Sequence, residues 1–340
     1  MKLRKLVAFA TLGLAFFGSV EPALAQNFPT KSIDNVVFSS PGGGTDLINR
    51  QLASVIQKSL GQQMIVSNMP GGLGGTAAEY VWGRDHDGYT VLGLSESGAT
   101  FLVNRASKHG AKDWHYFIVA GSPGVIAVRS QSNIKTLDDL IAAAKERPKK
   151  VSIGNSGKGK LWHIKAVVTE RAAGVDFQHI PYNGSGPAII ATLSGEVEAV
   201  SCALQEVSEQ VRAGKMRIVV MTEEKRVSDA AFKDIPAVSE KYPGVEKYFP
   251  LQQWLGFAVP KDTPAAIVNT YGQAFDKAMK EPALQKFISE SYMESMGLRG
   301  DAALKFAAQL ESNLSWLSYE LGIVKLDPAT IGISKAAWMQ

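Results

Sequence analysis

From about residue 33 onward, short runs rich in β-branched residues alternate with stretches whose apolar residues recur every three to four positions. Runs at 33–38, 64–67, 89–94, 125–128, 151–153, 197–201 and 216–221 read as strands. Helical patterns at 45–60, 77–84 and 137–146 separate several of them. Thr136 precedes the third helix, with Asp139 three residues later, the spacing of a short capping box. Thr263-Pro264 opens another helix, in which Ile267, Val268, Tyr271, Phe275, Ala278 and Met279 share one face. This βαβα rhythm predicts an α/β protein of mostly parallel sheets flanked by helices. No heptads, short tandem repeats or low-complexity tracts interrupt it.

The first residues follow another pattern. Lys2, Arg4 and Lys5 precede an apolar run at 6–17, and Ala23-Leu24-Ala25 supplies a small-x-small cleavage site. This predicts a signal peptide over 1–25, a mature chain starting near Gln26 and a periplasmic location. The apolar run is shorter than the roughly 18–20 residues that span a bilayer. An exported chain has no dependable supply of ATP or NAD, so no cofactor is expected.

About 315 residues then remain, enough for two medium domains with their own cores. With three basic residues and one acidic residue lost in the leader, formal net charge falls from +4 to +2. That balance argues against a nucleic-acid partner. Cys202 is alone and forms no internal disulfide, so stability rests on burial.

Glycine-rich turns fall at 39–46, 68–76, 154–160 and 183–187. In open α/β sheets, ligands bind beyond the carboxyl ends of strands, where such turns lie. Glycine lets main-chain N–H groups approach a ligand, and a following helix N-terminus favours negative charge. The turns therefore point to a small anion held largely by backbone.

Enzyme motifs are incomplete. Gly154 to Lys160 fits the start of a phosphate-binding loop, but the next residue is Leu161 where Ser or Thr would hold magnesium. Gly93-Leu94-Ser95-Glu96-Ser97 lacks the last glycine of a nucleophile elbow. The five histidines are scattered without the spacing of a zinc site, and His163 reads as a packing or helix-orienting residue. No catalytic or metal-ligating residue is assigned, and a non-enzyme is expected.

Taken together, the turns resemble the Bug or TctC family, the periplasmic receptors of tripartite tricarboxylate transporters. Phe28-Pro29-Thr30-Lys31-Ser32-Ile33 resembles the family's opening. Gly42-Gly43-Gly44-Thr45-Asp46 with Arg50, Asn68-Met69-Pro70-Gly71-Gly72 with Gly74, and Asp87-Gly88-Tyr89-Thr90 resemble successive motifs. Asn155-Ser156-Gly157-Lys158-Gly159 with His163, Pro181 to Pro187, and Trp254-Leu255-Gly256 through Thr263-Pro264 complete the series. Single pieces are weak signals, but their order across nearly the whole mature chain is specific.

The resemblance implies a two-domain, hinged clam-shell of the periplasmic-binding-protein type that closes on an organic carboxylate and delivers it to membrane permease subunits. It implies one domain from 26–124 plus 253–340, a second from 125–252, and a monomer. It places Ser39, Ser40, Gly43, Thr45 and Asp46 on one wall, facing Asn155, Gly157, Gly159 and Lys160. Ser95, Glu96, Tyr182 and Cys202 are expected to tune the rest of the ligand.

Some positions depart from the family pattern. Phe38 replaces a usual proline, Gly75 a frequent Asn, and Lys158 and Lys160 add charge to the third turn. Cys202 stands where Asp is frequent, which argues against an amino-acid ligand, although Glu96 could substitute. A di- or polycarboxylate or an aromatic carboxylate is expected, with Lys160 as counter-charge. The competing readings are a secreted α/β hydrolase-like enzyme and a receptor serving a sensory partner.

Overall fold

The computed structural model describes residues 28–227, 231–232 and 234–335. The expected leader lies outside the described residues. The chain begins with β1 (Ile33–Val37), α1 (Gly44–Leu60), β2 (Met64–Asn68), α2 (Gly75–Trp82), β3 (Thr90–Ser95) and β4 (Trp114–Gly121). It continues through β5 (Gly124–Arg129), α3 (Leu137–Glu146), β6 (Ser152–Asn155), α4 (Leu161–Ala173), β7 (Gln178–Pro181), α5 (Ser185–Ser194), β8 (Ala199–Ala203), α6 (Leu204–Arg212) and β9 (Met216–Met221). After α7 (Val238–Lys241) come β10 (Leu255–Pro260), α8 (Ala265–Ala278), α9 (Pro282–Glu290), β11 (Glu294–Arg299) and α10 (Gly300–Glu320).

Two sheets result. The first has strand order β11-β4-β10-β3-β1-β2 and the second β7-β6-β8-β5-β9. The chain crosses to the second sheet between Gly121 and Gly124 and returns between Met221 and Leu255. The α/β class and the flanking helices hold, but the sheets are mixed rather than mostly parallel. β1 pairs in parallel with β2 and β3, whereas β10 runs antiparallel to β3 and β4, and β11 antiparallel to β4. In the second sheet β6 is parallel to β7 and β8, while β5 is antiparallel to β8 and β9. Antiparallel neighbours need no crossover helix, so β4, β10 and β11 pair outside βαβ units. β4 follows β3 through short 3-10 turns, β7 ends in proline at a sheet edge, and β11 is a largely exposed edge strand.

Helix signals are followed closely. Thr136 Oγ1 accepts the Asp139 N–H and Asp139 Oδ2 accepts the Thr136 N–H, closing the box around the start of α3. The face expected on α8 buries Ile267, Tyr271, Phe275 and Ala278, with Phe275 and Tyr271 against the stacked rings of Phe117 and Phe257. A buried amide pair anchors α1 to the sheet. Asn35 Nδ2 donates to Asn49 Oδ1 at 2.9 Å, and Asn49 Nδ2 donates to the carbonyls of Thr45 at 2.8 Å and Gly256 at 3.0 Å. The first turn of α1 is thereby fixed at the sheet's carboxyl edge.

Gly75 has a steric reason to replace a larger residue, because a Cβ there would lie 1.7 Å from the Ala106 carbonyl oxygen. Neither backbone can yield without moving the loop that carries it. Gly75→Ala should lower stability by about 1–3 kcal/mol, read as a fall in Tm. Gly186→Ala, whose methyl meets open space in α5, should leave Tm unchanged or slightly raised.

Candidate functional site

The loops at the carboxyl ends of both sheets meet around a cavity of about 40 Å³. One side comes from the turn between β1 and α1, with Ser39, Ser40, Gly43, Gly44 and Thr45 in its lining. The other comes from the starts of α4 and α5, through Ser156, Lys160, Gly184, Ser185 and Gly186. Ser95 and Glu96 enter from the end of β3, and Glu206 from the first turn of α6. The N-termini of α1, α4 and α5 thus converge, and their unpaired amides and dipoles favour negative charge. A larger cavity of about 740 Å³ lies at the crossover around Pro123, Glu223 and Pro250. None of the glycine turns lines it, so the smaller cavity is the candidate site.

Asp46 organises the first wall. Its carboxylate accepts the Gly42 N–H at 2.9 Å, Arg50 Nε at 3.1 Å and Asn68 Nδ2 at 2.8 Å. Burial pushes its pKa up, but the Arg50 hydrogen bond and those from Gly42 and Asn68 outweigh this and hold it below the usual range. Asn68 also donates to the Ser39 carbonyl at 3.0 Å. Ser40 Oγ donates across to the Asn183 carbonyl at 2.8 Å, whereas buried Ser39 Oγ has no partner.

The second wall is braced from behind. Asn155 Oδ1 accepts the Gly157 N–H and His163 Nδ1 accepts the Gly159 N–H, both at 3.1 Å. His163 therefore orients the loop, and burial, with His179 and Lys158 nearby, pulls its pKa down to about 3, which keeps that nitrogen an acceptor. Gly159 has φ +78°, and a Cβ there would meet Asn104 Oδ1 at 2.6 Å. Lys160, directly before α4, is 9% exposed and holds its ammonium 5.3 Å from the Phe38 ring centre. Burial brings its pKa down to about 8 against the opposing pull of Glu96.

Glu96 is 1% exposed. Oε1 accepts the Ser97 hydroxyl at 3.1 Å, while Oε2 is buried without a hydrogen-bond partner. Burial pushes its pKa up to about 7 against the nearby hydroxyls and Lys160. No ion pair joins Glu96 to Lys160 among the described residues. Glu206 is better satisfied: Oε1 accepts the Gly44 N–H at 3.2 Å and Oε2 the Ala203 N–H at 3.0 Å. Its carboxylate spans the starts of α1 and α6, linking the two sheets' loops.

Of the expected residues, Ser39, Ser40, Gly43, Thr45, Ser95, Glu96 and Lys160 come together at the cavity. Tyr182 lines an adjoining recess of about 30 Å³ that shares Phe38, Ser39 and Lys160, and its hydroxyl donates to Glu196 at 2.7 Å. Asp46, Asn155, Gly157 and Gly159 lie outside the lining, and Asp46 and Asn155 spend their oxygens on loop amides. Cys202 sits in β8, fully buried against the core that includes Val125, Ala188 and Leu204. It lines neither the cavity nor the adjoining recess, and burial raises its thiol pKa well above the usual value. Sequence reasoning did not single out Glu206, Ser185 or Gln253. The only trace of Glu206 is its place at the third position of α6, where Glu commonly caps a helix start.

Residues 48–317 match the model of the tripartite tricarboxylate transporter family receptor. A protein encoded in the gbd 5′ region of Cupriavidus necator is 30% identical over 94% of this chain and 96% of its own. Rpa4515 of Rhodopseudomonas palustris, solved with adipate, superposes with a TM-score of 0.78 at 24% identity, covering 87% of this chain and 99% of its own. MatC from the same organism, solved with malate, gives 0.75 at 22% identity over 86% and 100% of the two chains.

The Asp46 network yields a stability test. Asp46→Ala strips one carboxylate from a buried group of donors and should cost about 2–3 kcal/mol at neutral pH. Since the folded state lowers this pKa, the wild-type advantage is complete above 3.8 and disappears as pH falls through the depressed value. Urea titrations of both proteins at several pH values measure it.

Proposed function

The chain belongs to the tripartite tricarboxylate transporter receptor family, and from that premise we propose that it is a periplasmic receptor for a small organic carboxylate. In this reading the loops of the two sheets are the jaws of a clam-shell, 26–124 with 253–340 forming one lobe and 125–252 the other. The segments near Gly121 to Gly124 and near Trp254 act as the hinge. Closure withdraws the carboxylate from water among fixed amides and creates the surface that a membrane permease recognises. The receptor works as a monomer and performs no chemistry on its cargo.

The single observation that carries this reading is Lys160, a buried lysine without an ion-pair partner among the described residues, set where three helix N-termini converge. A buried cation without a counter-ion is costly. A carboxylate supplies the missing charge, and the helix starts supply further N–H donors.

A thermal-shift panel of small acids and their neutral amides tests the proposal. Acids should raise Tm while the matching amides do so much less, and Lys160→Met should weaken acid binding by at least about tenfold, the effect of losing one charge-assisted hydrogen bond. Equal stabilisation by acids and amides would remove the carboxylate from the account.

A further inference from the structure

We propose that the ligand carries an ammonium group as well as a carboxylate, received by Glu96 and Lys160 respectively, so that this receptor selects a small zwitterionic amino acid over a dicarboxylate dianion. The proposal rests on the carboxylate-receptor reading and narrows its substrate class.

A second acid in the lining, Glu206, stands at the start of α1. Glu206 accepts the Gly44 N–H there and the Ala203 N–H at the start of α6. Two main-chain donors engage its carboxyl against burial, which pushes its pKa up, and Lys160 is the cation in the lining. Glu96 is the remaining charge in the lining, with Oε2 buried and unpartnered. A buried acceptor left without a donor is destabilising, more so when charged. A second ligand carboxylate would bring like charge against Glu96 in a site sheltered from water, where repulsion is strong. An ammonium instead completes Glu96 while the carboxylate completes Lys160, and the ligand adds no net charge.

The groups facing Glu96 are the hydroxyls of Ser95 and Ser97, Lys160, and more distantly Lys165, which is already paired with Glu223. Because its pKa is raised to about 7, Glu96 is ionised above that pH and protonated below it. Ionised Glu96 is the form that receives an ammonium, so amino-acid affinity should rise as pH climbs through about 7. A dicarboxylate would accept a hydrogen bond from the protonated form, and its affinity would fall over the same interval.

Calorimetric titration with matched pairs tests this: propionate with alanine, butyrate with 4-aminobutyrate, and succinate with aspartate. In at least one pair the amino acid should bind at least about tenfold more tightly than its parent acid, since a site built for a donor rejects the analogue lacking it. Glu96→Gln should reduce that ratio to below about threefold. Should the variant fail to fold, the pH dependence of amino-acid affinity in the wild-type protein decides the question on its own. Parent acids binding as tightly as their amino partners in every pair, a ratio that survives Glu96→Gln, or amino-acid affinity falling as pH climbs through about 7, before Lys160 begins to lose its proton near about 8, overturns the assignment while leaving a carboxylate receptor standing. Binding of neutral amides but of no acid overturns both.

Discussion

Two opposite charges, Lys160 and Glu96, lie buried in one small cavity without meeting, and the arrangement around them depends on keeping them there. Glu96 follows β3 of the first sheet, whereas Lys160 precedes α4 of the second. They share a buried space only because the two sheets' loops come together. Each loses hydration, as their opposed pKa shifts express: the carboxyl rises and the ammonium falls. An apolar ligand would leave both penalties in place. A charged one can relieve them, so the cavity's preference follows from the protein's own unpaired groups.

The backbone on either side is held by side chains that face away from the cavity. Asp46 and Asn68 fix the turn before α1, while Asn155 and His163 fix the turn before α4, each by bonding to main-chain groups. A loop that offers amides to a ligand must keep them aimed at it when the site is empty, and these side chains provide that restraint. The buried Asn35–Asn49 pair extends the restraint from the first turn of α1 to the body of the sheet. Donors set in place before binding lose little entropy when the ligand arrives.

Much of the fold was legible in the sequence, and what was not has identifiable physical causes. Parallel strands such as β1 and β6 announce themselves through a β-branched run, a glycine turn and an amphipathic helix. β4 is followed directly by β5, while β10 and β11 lead into helices as parallel strands do, so their antiparallel pairing and the mixed character of the sheets emerge only in three dimensions. The glycine turns pointed to the region where the cavity lies. Side-chain direction was beyond them: Asp46 and Asn155 turn back to bond their own loops, and Cys202 points into the core from within β8. Glu206 was hidden for the opposite reason, because a glutamate at a helix start ordinarily caps that helix alone. Here it also reaches the Gly44 N–H, 162 positions away in the chain.

The energetics of closure explain why the proposed receptor needs a ligand with two poles. Glu206 to Gly44 and Ser40 to Asn183 join loops of the two sheets. In the proposed clam-shell these contacts favour closure, and the desolvation of Lys160 and Glu96 opposes it. A ligand that turns a mostly open population into a mostly closed one must prefer the closed form by about 5.5 kcal/mol. One hydrogen bond to a charged group contributes about 1.5–3 kcal/mol, so Lys160 by itself falls short of that difference and the amides at the helix starts must add to it. Two such bonds, one at Lys160 and one at Glu96, reach about 3–6 kcal/mol and bracket it. An anion held at Lys160 leaves Glu96 unpaired, whereas a ligand that engages both groups joins one residue from each sheet's loops and ties occupancy more firmly to closure.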